Sequence, residues 1–267
     1  MPIFPPLLKV PVKSLLNLIP TPVLERVEDL TQKHLGKGSG AWSTKNEAKA
    51  VADFVKSLSL SRVVAVDAGA NLGNWTSEII KYLPDASVIA FEPSQEAFSE
   101  LSEKFSANQH VTLVNIALGK ENKVAKLHAD RSGSGLGSLT KRRVGHFNIE
   151  FTHEEEIEIQ TLDSWVASSD CSTPPPNVLK MDVEGHELDV LLGATETLKG
   201  IQLVQFEFGG GNIDTKTFFQ DFWYFFEELG FSIYRLTPNK PKLIQEYSER
   251  DECFRATNYL AIRNQNV

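Results

Sequence analysis

The sequence has little cysteine, no long apolar run and no large cluster of positive charge. Its two cysteines, Cys171 and Cys253, stand in neither CxxC nor metal-ligand spacing, which argues against a disulfide framework and against a zinc site. Prolines interrupt the apolar N-terminal stretch, so it is too short to span a bilayer and makes no convincing secretory signal. We therefore expect a cytoplasmic protein without a transmembrane segment, and leave peripheral membrane contact through this stretch open.

The charge balance limits the partners. A formal net charge of −8 argues against a protein that grips nucleic-acid phosphates, because such binding needs clustered Lys and Arg. Lys141, Arg142 and Arg143 form the one basic run, which is predicted to be a solvated loop. The 267 residues suit one folded domain with local decoration, and a homo-oligomer stays open.

From residue 62 onward, short apolar segments alternate with segments of helical periodicity. This alternation predicts an α/β fold of the doubly wound, Rossmann-like type, with a parallel sheet covered by helices on both faces. We expect seven core strands, with the last two, residues 232–236 and 259–263, forming an antiparallel hairpin at one edge. Residues 1–44 are predicted to be a small N-terminal helical extension, and residues 45–267 the main domain.

A longer connection interrupts the alternation at about residues 119–177. It carries a glycine- and serine-rich segment over residues 132–138 and a strand-like segment over residues 157–162. Ligands bind outside the carboxyl ends of parallel strands, so this insertion is predicted to be a lid over the site. The alternative is a surface hairpin without a function.

The segment DAGANLG lies where the first strand would lead into the first helix. Gly69 and Gly73 allow a sharp turn and a close approach to a ligand, with Asn71 between them. Alanines replace the first two glycines of the dinucleotide pattern GxGxxG, so a nicotinamide cofactor fits poorly. The Asp67 carboxylate suits a cationic ligand such as S-adenosylmethionine, which carries an amino group and a sulfonium and has no phosphate.

Two further segments extend this cofactor site. Glu92 ends the predicted second strand, about 20 residues after the glycine loop, where an acid can accept hydrogen bonds from both ribose hydroxyls. Capping of the next helix is the alternative role for Glu92. Asn115 and Ala117, at the end of the third strand, are predicted to leave room for adenine and meet its edge, unless this is simply a buried strand end.

The segment KMDVEGHE ends the predicted fourth strand, beside the switch point of the sheet. Asp182, Glu184 and His186 are the candidate catalytic side chains, because an aliphatic hydroxyl that attacks a methyl group is helped by a base. Asp182 is also a candidate cofactor ligand. Pairing of Glu184 with Lys180 is an alternative to a catalytic role. The missing second His of HExxH excludes a zinc protease.

In this order, the motifs resemble the FkbM family of S-adenosylmethionine-dependent methyltransferases, and the resemblance covers residues 45–263. It implies a class I methyltransferase fold and methyl transfer to a hydroxyl of a sugar, glycan, lipid or other secondary metabolite. It also implies a division of roles by position. The cofactor would be bound by Asp67, Gly69, Asn71, Gly73 and Glu92, and the transferred methyl or acceptor would be faced by Asp182, Glu184 and His186.

The acceptor itself is not identified by these motifs. Glu207, at the end of the fifth strand, and Ser138 and His146, in the insertion, are predicted to bind it. Trp42 and His153 are weaker candidates, better explained as structural or solvent-facing residues.

A metal is not predicted, because a divalent ion held by Asp182, Glu184 or Glu207 would lack a complete ligand set. Two rival functions stay open. A methyltransferase acting on a nitrogen acceptor would show an Asn/Asp-Pro-Pro-Tyr/Phe loop where this sequence has DVEG. A catalytically silent nucleoside-binding module would not need the acids and the histidine at this position.

Overall fold

The computed structural model describes residues 19–38, 43–169 and 174–265. The strands over these residues are β1 (Val64–Ala68), β2 (Ser87–Phe91), β3 (Val111–Val114), β4 (Ala117–Leu118), β5 (Lys123–Ala129), β6 (His153–Gln160), β7 (Val178–Met181), β8 (Leu203–Phe208), β9 (Phe231–Arg235), β10 (Lys242–Leu243) and β11 (Thr257–Arg263). The helices are α1 (Thr21–His34), α2 (Thr44–Ser57), α3 (Asn74–Tyr82), α4 (Gln95–Phe105), α5 (Leu162–Ser168), α6 (Glu187–Leu192), α7 (Gly210–Thr215) and α8 (Phe219–Glu228).

The main sheet has the strand order β10-β9-β11-β8-β7-β1-β2-β3. Strands β3, β2, β1, β7 and β8 pair in parallel, and β11 runs antiparallel to both β8 and β9. The parallel pairs are joined by helical crossovers, as the alternation of the sequence predicts. The α/β, doubly wound fold class is thereby confirmed.

The strand count differs from the expectation of seven, because the sheet has eight strands. The additional strand, β10, is two exposed residues long, so no periodic apolar pattern reveals it. The last two predicted strands do pair antiparallel, but β11 lies inside the sheet between β8 and β9. Strand β10, and not the predicted hairpin, therefore forms this edge.

Both faces of the sheet are buried, which explains why its strands are almost wholly apolar. All five residues of β1 are buried. Val64 and Val66 contribute to a core shared with α6 and α8, whereas Ala65 contributes to a core shared with α2 and α3. Successive side chains of a strand point to opposite faces, so a strand covered on both sides cannot alternate apolar with polar residues.

The insertion folds as a separate three-stranded sheet with the order β4-β6-β5. Strands β5 and β6 are antiparallel over their whole length, and β6 includes most of the strand predicted at residues 157–162. Residues 131–151 connect these two strands and turn back over the carboxyl ends of the main sheet, where Ser138 bridges to His128. The predicted lid therefore lies beside the candidate site.

Helix α1 and the following loop attach to the C-terminal part of the chain. Arg235 donates a hydrogen bond from Nε to the carbonyl oxygen of Leu35 at 2.9 Å, and a side chain at Gly36 would overlap the backbone of Leu236. A domain boundary at residue 44 stays a prediction. Within the described residues, no helix combines the length and apolarity needed to cross a bilayer.

Candidate active site

A cleft of about 690 Å³, measured with its open mouth, lies at the carboxyl ends of β1, β2 and β7 and beneath the insertion. The residues that line it are Gly69, Asn71, Glu92, Pro93, Ala117, Leu118, Leu127, Ser134, Gly135, Gly137, Ser138, Leu139, Asp182, Val183, Glu184 and His186. Three separate motifs of the sequence thus meet in one cavity.

The glycine loop after β1 is held by its own backbone amides. Gly69 and Ala70 donate hydrogen bonds to the carbonyl oxygen of Phe91 at 3.0 and 2.9 Å. Asn71 donates from its backbone N–H to Glu92 Oε2 at 2.7 Å. Gly69 has φ +72°, and a Cβ there would overlap the carbonyl oxygen of Asp182. Only glycine therefore fits this turn, and three successive amides have acceptors inside the protein.

Glu92 presents a positioned carboxylate to the cavity. Besides the Asn71 bond, its Oε1 accepts a hydrogen bond from the backbone N–H of Ser94 at 2.9 Å. Burial raises the pKa of Glu92 to about 7, although these two backbone donors act in the opposite direction. Each oxygen keeps a lone pair that ribose hydroxyls can use. Glu92 thus combines the predicted cofactor-facing position with a hydrogen bond into the first turn of α4.

Asp67 does not line the cavity. Its side chain is fully buried beneath the glycine loop, where Oδ2 accepts a hydrogen bond from Thr76 Oγ1 at 2.7 Å. Its Oδ1 lies 2.8 Å from Lys180 Nζ, which also donates to the carbonyl oxygen of Gly69 at 2.9 Å. Parallel pairing of β1 with β7 sets Asp67 directly opposite Lys180. The carboxylate therefore supports the loop from below through an ion pair.

Two more predicted cofactor residues have supporting positions, and a third lines the cavity. A side chain at Gly73 would overlap Leu101 and Phe105, so this glycine allows α4 to pack closely. Asn115 donates from Nδ2 to the carbonyl oxygens of Glu92 and Pro93 at 2.9 and 3.1 Å, which fixes the turn after β2. Ala117 lines the cavity.

The loop after β7 carries the candidate catalytic residues into the same cavity. The Asp182 carboxylate is 49% exposed, and its Oδ2 lies 4.0 Å from Lys180 Nζ. The buried Glu187 stabilises the loop, since its Oε1 accepts hydrogen bonds from the backbone N–H groups of Val183 at 2.9 Å and Gly185 at 3.3 Å. Asp182 therefore projects from a fixed turn toward the open part of the cavity.

His186 is held at both ring nitrogens. Its Nδ1 lies 2.9 Å from Asp189 Oδ2, and its Nε2 lies 3.0 Å from Thr140 Oγ1 in the insertion. The hydrogen bond from His186, together with Lys120 at 3.0 Å, lowers the pKa of the Asp189 carboxyl. An ionised Asp189 selects the tautomer with the proton on Nδ1, so Nε2 is an acceptor.

Glu184 pairs with Arg142 of the insertion, and not with Lys180. Burial, followed by the charge of Asp182, raises the pKa of Glu184 to about 8 against the effect of Arg142. Arg142 Nε also lies 3.8 Å from Asp214 Oδ2. The expectation that the whole basic run is a solvated loop is therefore wrong for Arg142, because half-buried carboxylates from two other segments lie beside it.

The predicted acceptor residues do not lie together in the structure. Ser138 lines the cavity and donates from Oγ to the carbonyl oxygen of Glu184 at 2.9 Å. Glu207 is half-buried outside the cavity lining, and His146 is exposed in a short turn, with its ring centroid 4.1 Å from that of Phe147. His153 begins β6 away from the cavity. Trp42 lies outside the described residues.

Three residues at this site are missing from the sequence-based prediction of its functional side chains. Thr140, Arg142 and Asp189 contact the candidate catalytic residues, but each has an ordinary explanation in the sequence. Asp189 resembles an acid that favours a helix N-terminus, and Arg142 stands in an apparently solvated basic run. The position of Asp189, three residues after a candidate histidine base, was the available signal.

The cavity suits a cationic nucleoside. Of the described residues that line it, Glu92, Asp182 and Glu184 are acids, and none is a lysine or arginine. Pro93, Leu118, Leu127 and Leu139 supply apolar walls for a base. The loop amides, already bonded within the protein, leave no cradle for a phosphate at this turn. The residues present therefore fit S-adenosylmethionine better than a dinucleotide.

A metal centre has less support. Across residues 19–38, 43–169 and 174–265, no group of three or more His, Cys, Asp and Glu side chains is arranged to hold a metal ion. Asp182, Glu184 and Glu207 come from the same edge of the sheet, yet Glu184 is already paired with Arg142.

A mostly parallel sheet with this cavity at its carboxyl edge defines a Rossmann-like enzyme of the class I methyltransferase type. The family model described as the methyltransferase FkbM domain matches residues 67–233, which is more than half of the chain. The chain belongs to the FkbM methyltransferase family. This membership confirms the predicted family and its cofactor, S-adenosylmethionine.

The chain is similar to curated methyltransferases at low identity. It is 29% identical over 150 residues to the hexuronic acid methyltransferase AglP of Haloferax volcanii, covering 56% of this chain and 57% of AglP. It is 24% identical over 155 residues to the 2-O-methyltransferase NoeI of Sinorhizobium fredii, covering 54% of this chain and 63% of NoeI. The matched segments thus span about three fifths of each relative.

Among solved structures, a precorrin-6y C5,15-methyltransferase from Geobacter metallireducens aligns with a TM-score of 0.45 and 13% identity, covering 85% of this chain and 93% of that one.

Proposed function

We propose that this protein transfers the methyl group of S-adenosylmethionine to a hydroxyl of a sugar or glycan. The names of two relatives, a hexuronic acid methyltransferase and a 2-O-methyltransferase, support a sugar acceptor. Lipids and other secondary metabolites with a free hydroxyl are the wider class to which the acceptor belongs. Cytoplasmic location and homo-oligomer formation stay predictions.

One contact carries the choice of a hydroxyl acceptor. The Thr140 hydroxyl lies 3.0 Å from His186 Nε2, so the cavity rim already places an O–H group against a nitrogen that can accept its proton. An acceptor hydroxyl that replaces Thr140 at this nitrogen would meet the same geometry. Asp189, bonded to the other ring nitrogen, would stabilise the imidazolium that results.

The remaining residues divide between holding the cofactor and orienting it. Glu92 would accept hydrogen bonds from the ribose, the apolar walls would enclose the adenine, and Asp182 would lie near the cationic end. When bound, S-adenosylmethionine supplies an electrophilic methyl group on a sulfonium. The acceptor oxygen would form the new bond to that methyl while the methyl–sulfur bond breaks and S-adenosylhomocysteine leaves, and the acceptor's proton would pass to His186 Nε2.

A labelled-methyl acceptor assay tests the proposal. The full chain would be incubated with S-adenosylmethionine carrying a heavy methyl group and with matched acceptors: neutral hexosides, hexuronates and amino sugars whose hydroxyls are blocked. We expect a labelled methyl ether on an unblocked hydroxyl, identified by mass spectrometry. Labelling only of the amine would favour a nitrogen acceptor and contradict the proposal.

The variant His186→Ala completes this test. We expect it to lower kcat roughly a hundredfold or more while the Kd for the cofactor stays unchanged, because a general base contributes at this level. His110→Ala is a matched control, since this exposed histidine lies before β3. Cofactor binding without methylation of any acceptor, in the wild-type chain as in the variant, would favour the catalytically silent binding module.

A further inference from the structure

Helix α1 turns its polar face, and not its apolar face, toward the rest of the protein. The side chains that attach it to the protein are polar: Asp29 Oδ1 pairs with Arg255 Nη1 at 2.6 Å, and Gln32 Oε1 lies 3.5 Å from Cys253 Sγ. No residue of the helix is buried. An amphipathic surface helix normally turns its apolar stripe toward the core. Here the polar face contacts the protein, and the apolar stripe faces away.

The outward stripe is continuous. Val23, Val27 and Leu30 are 48%, 54% and 60% exposed, and their spacing places them along one side of the helix. Ile19, which precedes the helix, is 36% exposed. Single exposed apolar residues are common on protein surfaces and need no explanation. Three in one line, on a helix with no buried residue, form a patch of the kind that marks an interaction surface.

The charges around this stripe are sorted. At about 100° per residue, Arg26 and Lys33 fall beside the stripe, whereas Glu25 and Glu28 project from the opposite side of the helix. The sequence before α1 continues this bias, because residues 1–24 contain lysines at positions 9 and 13 and no Asp or Glu. The apolar stripe thus has Arg26 and Lys33 on one flank, with Lys33 Nζ also 2.9 Å from Asp29 Oδ2, on a protein whose net charge is −8.

We propose that the outward face of α1 docks on an anionic lipid surface. An apolar stripe bordered by Arg and Lys is the pattern of helices that lie in the membrane interface. Basic residues beside the stripe gain attraction from anionic headgroups, which offsets the repulsion of the acidic body. An antiparallel two-fold dimer through the same face would instead bring Arg26 and Lys33 of the two copies together.

The connection from α1 links the docking surface to the sheet edge that carries the cavity. The loop after the helix leads to Gly38, whose backbone N–H donates to Thr257 Oγ1 at 3.1 Å. Thr257 pairs with Phe208 at the carboxyl end of β8, the same sheet edge that carries the cavity. Docking would therefore bring the acceptor side of the protein near the lipid surface. This consequence rests on the proposed function, whereas lipid docking itself does not.

Vesicle co-sedimentation of the full chain tests the docking surface. Phosphatidylglycerol mixed with phosphatidylcholine is the anionic vesicle, and pure phosphatidylcholine is the neutral one. Val27→Glu should lower the partition coefficient on anionic vesicles by about tenfold or more, since it removes an exposed apolar side chain that would enter the lipid and adds a repelled charge. Val124→Glu is the matched control, because Val124 is 63% exposed on β5 and the substitution is the same. Arg26→Gln should weaken binding and reduce its dependence on salt.

The outcomes separate cleanly. Binding to anionic vesicles that V27E loses and V124E keeps supports the proposal, whatever the result of the methylation assay. Equal binding to neutral vesicles, equal loss in both variants, or no vesicle binding at all would overturn it. A wild-type chain that sediments as a dimer without lipid, while V27E sediments as a monomer, would assign the face to a second copy and also overturn it.

Discussion

Replacing Glu92 with Gln isolates the carboxylate on which the cofactor site depends. Both carboxylate oxygens accept backbone hydrogen bonds, from Asn71 at 2.7 Å and Ser94 at 2.9 Å. A glutamine has one oxygen, so its NH₂ group must face one of these N–H donors. The same NH₂ group cannot accept the hydrogen bond expected from a ribose hydroxyl, and a lost hydrogen bond to a charged group costs about 1.5–3 kcal/mol. We therefore expect the Kd for S-adenosylmethionine to rise roughly 10- to 150-fold in isothermal titration calorimetry.

The pH dependence of binding sharpens this prediction. Burial raises the pKa of Glu92 to about 7, so the carboxylate takes up a proton as the pH falls from 8 to 6. The protonated group loses acceptor capacity for ribose hydroxyls, and cofactor affinity should fall over this window in the wild type. E92Q should lack that part of the dependence. Glu100→Gln, at an exposed acid on the following helix α4, is the control.

A double-mutant cycle can refute the assignment of Glu92 to the ribose. The ligands are methylthioadenosine and its 2′-deoxy analogue, measured against the wild type and E92Q. If Glu92 accepts the 2′-hydroxyl, the two changes remove one interaction and their free energies will not add. Additive losses, or an E92Q variant that binds the cofactor as the wild type does, would show that this carboxylate is only a structural cap.

Three other changes test neighbouring parts of the site. Lys180→Met leaves the fully buried Asp67 carboxylate unpaired and should cost about 3–5 kcal/mol of unfolding free energy in urea. K180M with D67N should recover much of it, and no recovery would contradict the pairing. Asp189→Asn should lower kcat about a hundredfold by misorienting His186, with an unchanged cofactor Kd; a parallel loss of binding would point to a collapsed loop. Burial and neighbouring acids raise the pKa of Glu207 well above its usual value. Between the ordinary glutamate pKa and this raised pKa, the folded protein therefore binds one more proton at this site than the unfolded chain does. The free energy of unfolding consequently falls as the pH rises through this range. Glu207→Gln should flatten this slope by about 1.4 kcal/mol per pH unit, and thermal melts of both proteins that change alike with pH would contradict it.

The sequence predicts the strands well because both faces of the sheet are buried. The sequence predicts strands at residues 87–91, 178–181 and 203–208, and β2, β7 and β8 have the same bounds. A short apolar run between helical segments can form few structures other than a buried strand of a parallel sheet. The rule that ligands bind at the carboxyl ends of parallel strands then predicts a site at one edge, and residues of all three motifs line the cavity there.

Which side chains point into that cavity could not be predicted in the same way. Asp67 and Glu92 both stand at strand ends, but strand register pairs Asp67 with Lys180 and buries it. Register between strands β1 and β7 is a property of the folded sheet and leaves no local pattern in the sequence. Arg142 and Thr140 likewise depend on where a long insertion returns, which the insertion's own composition does not specify.

The glycine loop shows why this site selects a cation. In a phosphate site, free backbone N–H groups of the loop and the following helix point at the ligand. Here the amides of Gly69 and Ala70 bond to Phe91, and the amide of Asn71 bonds to Glu92. The N–H groups of the loop are therefore already hydrogen-bonded within the protein. A buried lysine, which could otherwise attract an anion, is neutralised by Asp67 and bonded to the Gly69 carbonyl. What remains facing the cavity is carboxylate, so a sulfonium gains electrostatic stabilisation at the place where a pyrophosphate would be repelled.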